Sequence, residues 1–590
     1  MRSTPEKLER TSWLGALAAI RILETRPDVN LPALCHEMAA VHGERIALSG
    51  LDLQLSYGQL SEAISRYAGW AAMQAQPGET ISLLMPNGPD YAAIWLGISQ
   101  AGCVAALLNT TLAADALVHC ITAASSSVLI FSEQFLPVVE AARPLLPAAM
   151  RYWMHGAAET AHDFQRLDIE TYAPIPASGK ISPQSVAVLI YTSGTTGLPK
   201  AARLTHARLI EWSFWFAGLL DITPEDRLYN CLPMYHSTGG IVAIGAMLVR
   251  GGTVVIRERF SASKFWDDIV FEKCTIFMYI GELCRYLTQS APAAPPVEHR
   301  LRLCCGNGLS GDVWERFQAR FQIPRIIEFY AATEGSVSLY NAAGKPGAIG
   351  HVPGFLAHNF PVVLVKTDAA TGEIFRGPDG RPVLCGDGEP GEALGKITNL
   401  SNMPSRHFDG YTDAQASSRK ILHDVLALGD AWFRTGDLMR RDPEGFYYFI
   451  ERLGETFRWK GENVSAEEVA NVIRACPGAV EAIVFGIAIP GHEGRAGMAA
   501  MTTDARFSFD AFLAHVEAKL PDYARPVFIK ICEKLETTAT FKYKKSQPSG
   551  AISLFAGNAQ GVWFYDRVAR MMVPVDEQLL QALTQNGSRI

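Results

Sequence analysis

An α/β fold with parallel sheets, followed by a small α+β domain, is what this chain predicts, and three observations carry the prediction. Short β-branched apolar runs alternate with helical patterns, as at residues 80–85, 127–131, 253–257 and 275–280, the arrangement that helical crossovers between parallel strands require. The 590 residues exceed what a single hydrophobic core supports, so at least two domains are expected. After Arg452 the pattern becomes compact: a helix over 465–475, strands near 480–489 and 496–502, a helix running to Leu520 from an N-cap at Ser508, and a strand at 527–531. The division is therefore placed between residues 1–452 and 453–590, with Leu453-Gly454 as pivot, because glycine absorbs large backbone rotations.

Taken in order, residues 1–27 place Trp13, Leu14, Leu17 and Ile20 among Lys7, Arg10, Arg21 and Arg26. Acidic residues flank this short apolar centre and no small-residue cleavage site follows, which argues against a signal peptide. Two readings stay open: a helix packed on the body, which the mixed charges favour, or a helix lying on a membrane surface. Residues 92–108 form the longest mostly apolar stretch, interrupted by Ser99, Gln100 and two glycines. That is too short to span a bilayer and reads as a core helix. Residues 290–297, rich in Pro and Ala, read as a surface loop.

The apolar run 185–190 reads as a buried strand, and Tyr191-Thr-Ser-Gly-Thr-Thr-Gly-Leu-Pro-Lys200 follows it directly. Glycines let backbone N–H groups turn toward an anion, while hydroxyls and Lys200 add donors and charge. The loop thus suits phosphate, although it is not a Walker A loop, since Pro199 precedes the lysine.

Composition limits the alternatives. A hydrophobic fraction of 48% with 19% charged residues describes a globular chain, not a disordered one. The net charge of −7 gives no electrostatic footprint for nucleic acid. The 11 cysteines form no Cys-x-x-Cys pair and no zinc-spaced cluster, so a reducing, cytosolic compartment is expected.

The phosphate loop, Leu232-Pro-Met-Tyr-His236, Tyr330-Ala-Ala-Thr-Glu-Gly335, Arg434-Thr-Gly-Asp437 and Thr456-Phe-Arg-Trp-Lys-Gly-Glu-Asn-Val464 occur in this order over nearly the whole chain. Together they resemble the adenylate-forming superfamily of acyl-CoA synthetases, luciferases and nonribosomal adenylation domains, and within it the fatty acid transport protein branch, the very-long-chain acyl-CoA synthetases. The resemblance implies a large N-terminal domain with parallel sheets and a distorted β-barrel, and a mobile C-terminal domain. It implies ATP, Mg²⁺ and coenzyme A as reactants and cofactor, and conversion of a lipophilic carboxylic acid to its acyl-CoA through an acyl-adenylate. Long- and very-long-chain fatty acids lead, with bile-acid or sterol side-chain acids as alternatives. A ligase that stops at acyl-AMP or hands its acyl group to another thiol, and a non-catalytic lipid-binding or uptake protein, are the competing classes. Placement is expected to be cytoplasmic, with peripheral contact at the inner membrane face and a homodimer left open.

By the same resemblance Thr192, Ser193, Gly194, Thr195, Thr196, Gly197 and Lys200 hold the β- and γ-phosphates, Thr333 lies at the α-phosphate, and Glu334 binds Mg²⁺. Gly306, Asn307 and Gly308 lie against the adenine and Tyr330 stacks on it, while Asp437 and Arg452 take the ribose. His236 borders the carboxylate end of the acyl tunnel, whose wall would include residues 212–216 and 239–245. Lys542, in Thr540-Phe-Lys542, supplies positive charge to the transferring phosphorus, with Lys544 and Lys545 as nearby alternatives. Lys460 and Gly461 line the approach of the CoA thiol once the small domain has turned about Gly454. One motif competes: Gly306-Asn-Gly-Leu-Ser-Gly311 satisfies G-x-G-x-x-G, with Glu328 about twenty residues on. Taken alone it suggests a dinucleotide dehydrogenase; beside a second phosphate loop it reads as the adenine segment.

Overall fold

The computed structural model describes residues 5–156, 164–176, 181–192, 199–290, 298–368, 372–398, 400, 403–453, 457–459, 462–489, 495–535, 561–566, 569–576 and 579. The chain forms two compact units, Met1–Val362 with Gly395–Phe433, and Val363–Leu394 with Arg434–Ile590.

The larger unit holds two sheets. One has seven strands, ordered Gln165–Arg166, Arg151–His155, Val128–Ser132, Thr80–Leu84, Val104–Leu107, Val186–Thr192 and Lys200–Thr205, parallel until the last, antiparallel pair. In the other, Ile46–Ser49, Thr253–Ile256, Arg227–Asn230, Ile276–Ile280, Leu303–Asn307 and Ile326–Ala331 run parallel side by side, and Ser338–Asn341 turns back antiparallel. The central strands are buried along their length, as parallel strands covered on both faces must be. The sequence-predicted strands at 80–85, 127–131, 185–190, 253–257 and 275–280 all lie here, within a residue or two at each end.

Residues 92–108 are not one core helix. Helix Pro89–Gln100 ends where Gly102 takes φ +78°, and Cys103 N–H reaches back to Ile98 O at 3.1 Å, a glycine-terminated closure. The chain then enters strand Val104–Leu107.

The N-terminal helix Pro5–Ile20 packs on the body. Trp13 is fully buried and meets Trp215, Tyr340 and Phe360 edge-on at centroid distances of 5.6, 5.5 and 5.0 Å. Gly15 crosses Gly218 so closely that a Cβ on Gly218 would lie 2.3 Å from Gly15 O. Glu9 accepts from His351 Nδ1 at 2.7 Å, and Ser12 Oγ donates to Leu219 O at 2.9 Å. Trp13, Ala16 and Ile20 of this helix are buried, while Leu8 and Leu14 stay exposed. No described helix is long and apolar enough to cross a membrane.

The smaller unit contains the five-stranded sheet Ala479–Ala488, Arg495–Thr503, Phe528–Ile531, Val562–Asp566 and Met571–Pro574. Helix Ala466–Arg474 buries Ala466, Val469, Ala470 and Ile473, the i, i+3, i+4, i+7 stripe of an amphipathic helix. Ser465 and Ser508 cap their helices by accepting from Glu468 and Ala511 N–H, both at 3.2 Å; the sequence predicts the cap at Ser508 and takes Ser465 as helical. Phe457 and Trp459 join Phe512, Phe528 and Phe564 in this core.

His206 opens helix His206–Leu219 and is 2% exposed, and burial pulls its imidazole down to about 4. The unfolded imidazole titrates near 6.5, so the unfolded chain binds the extra proton between those values and stability falls as pH drops from about 6.5 toward 4, by at most about 3 kcal/mol. Urea midpoints of the wild type across that window are expected to fall more steeply than those of His206→Gln.

Candidate active site

The loop predicted to hold phosphate is flanked by two paired strands. Strands Val186–Thr192 and Lys200–Thr205 pair antiparallel, with Thr192 opposite Lys200 at its mouth. Ser193, Gly194, Thr195, Thr196 and Gly197 lie outside the described residues. The returning side is fastened by His119, whose Nε2 donates to Pro199 O at 3.0 Å. A cavity of about 460 Å³ beside Thr80, Val104, Val186 and Arg203 lies at the opposite, N-terminal ends of these strands.

A segment distant in sequence joins this hairpin. Thr412 N–H donates to Ala201 O at 3.0 Å, Arg203 N–H donates to Gly410 O at 3.1 Å, and Tyr411 bridges Ala202. The Tyr411 ring lies 5.9 Å below Lys200 Nζ, and its hydroxyl donates to Glu334 Oε1 at 2.5 Å. Lys200 and Glu334 thus share one tyrosine, which holds cation and carboxylate on the same side of the hairpin. A half-buried carboxylate with a fixed hydroxyl neighbour fits Mg²⁺, which prefers one or two carboxylate oxygens and takes its remaining ligands from water and phosphate.

Beneath it lies Arg208, wholly buried. Its Nη1 donates to Thr333 O at 3.2 Å, and its Nη2 reaches His407 O at 2.6 Å and Asp409 Oδ2 at 3.2 Å. Burial draws the guanidinium below its ordinary value, and the charges of Asp409, Glu211 and Glu334 oppose that. Glu211, also buried, is pushed up by desolvation against the pull of Ser405, whose N–H and hydroxyl donate to it at 2.5 and 2.6 Å. Thr333 meets the next loop directly: its hydroxyl lies 3.2 Å from Ser237 Oγ, beside the half-buried His236, whose ring packs on Tyr235 at 4.7 Å.

Gly306, Asn307 and Gly308 close strand Leu303–Asn307. A Cβ on Gly306 would fall 2.1 Å from Tyr279 O, and Gly308 has φ +78°, so both positions demand glycine. Asn307 and Tyr330 are half-buried at adjacent strand ends. Glu328 faces inward at 1% exposure. It accepts from Tyr279 Oη at 2.5 Å and Leu309 N at 3.0 Å, and burial lifts its carboxyl to about 8. An acid so engaged cannot receive ribose hydroxyls, which removes the dinucleotide reading of G-x-G-x-x-G.

In the smaller unit, Asp437 pairs in register with Arg452, whose Nε donates to Asp437 Oδ1 at 3.1 Å. Asp437 lies in strand Ala431–Arg441, held by Glu392, fully buried, which binds Arg434 Nη2 at 2.5 Å and accepts from Gly436 N–H at 3.1 Å. Thr435 Oγ1 accepts from Asp437 N–H at 3.0 Å and donates to Ala393 O at 2.8 Å.

The family model of AMP-binding enzymes matches residues 35–395, and that of the AMP-binding enzyme C-terminal domain matches residues 468–542. The chain belongs to the AMP-binding enzyme family. This AMP-binding enzyme is 36% identical to long-chain fatty acid transport protein 1 of Mus musculus, over 97% of its own length and 91% of the mouse protein. It is likewise 36% identical to the medium/long-chain-fatty-acid–CoA ligase FadD6 of Mycobacterium tuberculosis, over 89% of the chain and 86% of that protein. The fold matches the anthranilate CoA ligase AuaEII in complex with anthranoyl-AMP, with a TM-score of 0.73 at 20% identity over 87% of this chain and 95% of that one. ATP-bound MatB from Rhodopseudomonas palustris gives a TM-score of 0.71 at 22% identity, over 88% and 98%. The two-unit α/β architecture is therefore that of adenylate-forming enzymes, which activate a carboxylic acid with ATP.

Of the residues singled out in sequence, the larger unit brings Thr192, Lys200, Thr333, Glu334 and His236 into one contact network. It sets Gly306, Asn307, Gly308 and Tyr330 on neighbouring strands. Asp437 and Arg452 form their own pair in the smaller unit. Lys460, Gly461, Gly454 and Lys542 lie outside the described residues. Sequence reasoning missed Arg208, Glu211, Tyr411 and Ser237. Arg208 and Glu211 sit in an otherwise apolar helix run, where two opposite charges fully buried are the signal that was available.

Replacing Arg208 strands Asp409 and three backbone carbonyls, so Arg208→Met is expected to cost about 3–5 kcal/mol in urea denaturation. Tyr411→Phe keeps the ring and loses one hydrogen bond, so its cost is expected to stay within about 1.5 kcal/mol.

Proposed function

We propose that this enzyme is an AMP-forming acyl-CoA synthetase for long- or very-long-chain fatty acids, of the fatty acid transport protein branch. The observation that carries the proposal is the junction at Thr333: one neighbour is the Lys200–Tyr411–Glu334 chain and the other is Ser237 on the His236 loop. Such a junction brings a phosphate-handling group and an acid-handling loop within one hydrogen bond. The fatty acids named for the Mus musculus and Mycobacterium tuberculosis relatives support the substrate class. Each buried methylene adds about 0.8 kcal/mol, so an apolar chain binds without polar contacts along its length.

In the reaction, a carboxylate oxygen attacks the α-phosphorus of ATP and pyrophosphate departs. Catalysis is mostly positioning and charge stabilisation, since negative charge gathers on the transferring group. Lys200 and the loop N–H groups would carry the β- and γ-phosphates, and Lys542 would face the α-phosphate. Glu334 would hold Mg²⁺, which neutralises phosphate charge when bound. Asp437 would accept from the ribose hydroxyls, with Arg452 holding its carboxylate. In the second half-reaction the CoA thiol attacks the acyl carbon and AMP leaves, with Lys460 and Gly461 on the approach. The functional boundary at 453, a distorted barrel in the N-terminal part and turning about Gly454 belong to this reading. So does a cytoplasmic site of action at the inner membrane face, where lipophilic acids partition.

Purified protein with hexadecanoate, ATP, Mg²⁺ and CoA is expected to release AMP and pyrophosphate; ADP and orthophosphate would overturn the proposal. Lys542→Ala is expected to lower acid-dependent pyrophosphate release by at least about 100-fold, with ATP affinity within a few-fold of wild type by calorimetry. Gly454→Pro is expected to spare acyl-AMP formation and impair thioester formation, which single-turnover assays with and without CoA separate.

A further inference from the structure

Asn87 lies outside every motif considered above. It follows strand Thr80–Leu84, the central strand of the seven-stranded sheet, in the turn before helix Pro89–Gln100. Its side chain reaches the other sheet of the same unit. Nδ2 donates to Leu232 O at 2.8 Å and to Arg257 O at 3.2 Å, and Oδ1 accepts from Met234 N–H at 2.8 Å. Both amide hydrogens and the carbonyl are thus engaged, and the partners follow strands Arg227–Asn230 and Thr253–Ile256.

The segment so held is Leu232-Pro-Met-Tyr-His236. Beyond it the chain turns sharply: a Cβ on Gly240 would lie 1.8 Å from Met234 O, and Gly240 N–H donates to His236 O at 2.8 Å. Asn230 secures the two ends, its Oδ1 accepting from Leu232 N–H at 3.2 Å and its Nδ2 donating to Gly239 O at 2.9 Å. Ser237, on the same turn, touches Thr333. Asn230 belongs to the sheet that carries this loop, whereas Asn87 belongs to the sheet that ends in the phosphate hairpin.

We infer that Asn87 is a positioning residue that registers the acid-binding loop of one sheet against the phosphate hairpin of the other, by clamping Leu232 and Met234. It touches neither reactant; it acts through His236 and Ser237. Alignment of a carboxylate with an α-phosphorus is sensitive to displacements of about 1 Å, and a side-chain amide with all three bonds made is a stiff tie between loops. The inference rests on the proposed function for its kinetic consequence but not for its structural one.

The test uses Asn87→Asp, which keeps the size and turns a carboxylate oxygen toward two carbonyls, and Asn87→Ala, which removes the tie without adding charge. Backbone hydrogen exchange of the full chain is expected to show at least tenfold lower protection at the amide of Met234, with residues 303–307 unchanged. In hexadecanoate-dependent pyrophosphate release, kcat/KM for the acid is expected to fall 10- to 100-fold, with KM for ATP within twofold. Unchanged exchange at Met234, or equal losses toward ATP and acid, would overturn the inference. If wild-type protein releases no pyrophosphate with the acid, the functional proposal fails, and the exchange measurement alone decides the role of Asn87. Should one variant not fold, the other carries the same readouts.

Discussion

A guanidinium removed wholly from water organises the larger unit. Desolvating Arg208 is costly, and the cost is met only because Asp409, the carbonyls of Thr333, Pro404 and His407, and the nearby carboxylates of Glu211 and Glu334 surround it. Those partners come from three separate stretches of chain, so satisfying one side chain fixes where each stretch must lie. The segment from Pro404 to Tyr411 is drawn against the phosphate hairpin, and the carbonyl of Thr333 is held from below. Glu334 follows at the next residue and meets Tyr411. The positions of Thr333, Glu334 and Tyr411 are thus consequences of an electrostatic demand made by a neighbouring buried side chain.

A second buried arginine extends the pattern. Arg406 donates to Ser336 O and lies 4.1 Å over the ring of Phe360, which packs edge-on to Trp13 of the N-terminal helix. Cation, aromatic ring and helix form a continuous path from the surface of the body to the segment carrying Tyr411. The N-terminal helix therefore has work inside the fold, and its buried face is met by Trp215, Tyr340, Phe360 and the Gly15–Gly218 crossing. Close glycine contacts of this kind let helix backbones approach until dispersion between them becomes effective.

The smaller unit solves a related problem differently. Glu392 is fully buried, and Arg434 and the Gly436 amide of strand Ala431–Arg441 bind it, with Gly436 at a positive φ that admits glycine readily. Asp437 follows Gly436 on that strand, with Arg452 opposite in register. Arg434-Thr-Gly-Asp437 is conspicuous in sequence because every one of its residues has a separate physical task there. Glu392 binds the same residues and is inconspicuous, lying in an ordinary strand more than forty positions earlier.

That contrast marks the division between what could be read along the chain and what could not. Periodicity placed most of the strands at 80–85, 185–190 and 253–257 and the capped helices after Ser465 and Ser508, because burial and capping are local demands that each element answers with its own residues. The loop at 191–200 stands out by its glycines and hydroxyls, and the blocks around Glu334 and Asp437 stand out by their resemblance to a family. Breaking 92–108 into helix and strand at Gly102 was not legible, since an apolar run buried on all sides has no period to betray its form. Arg208 with Asp409, Tyr411 with Glu334, and Asn87 with Met234 lay equally beyond reach. Each is a bond between residues dozens to hundreds of positions apart, and only the closing of the sheets and loops around a shared interior decides which distant donor finds which acceptor.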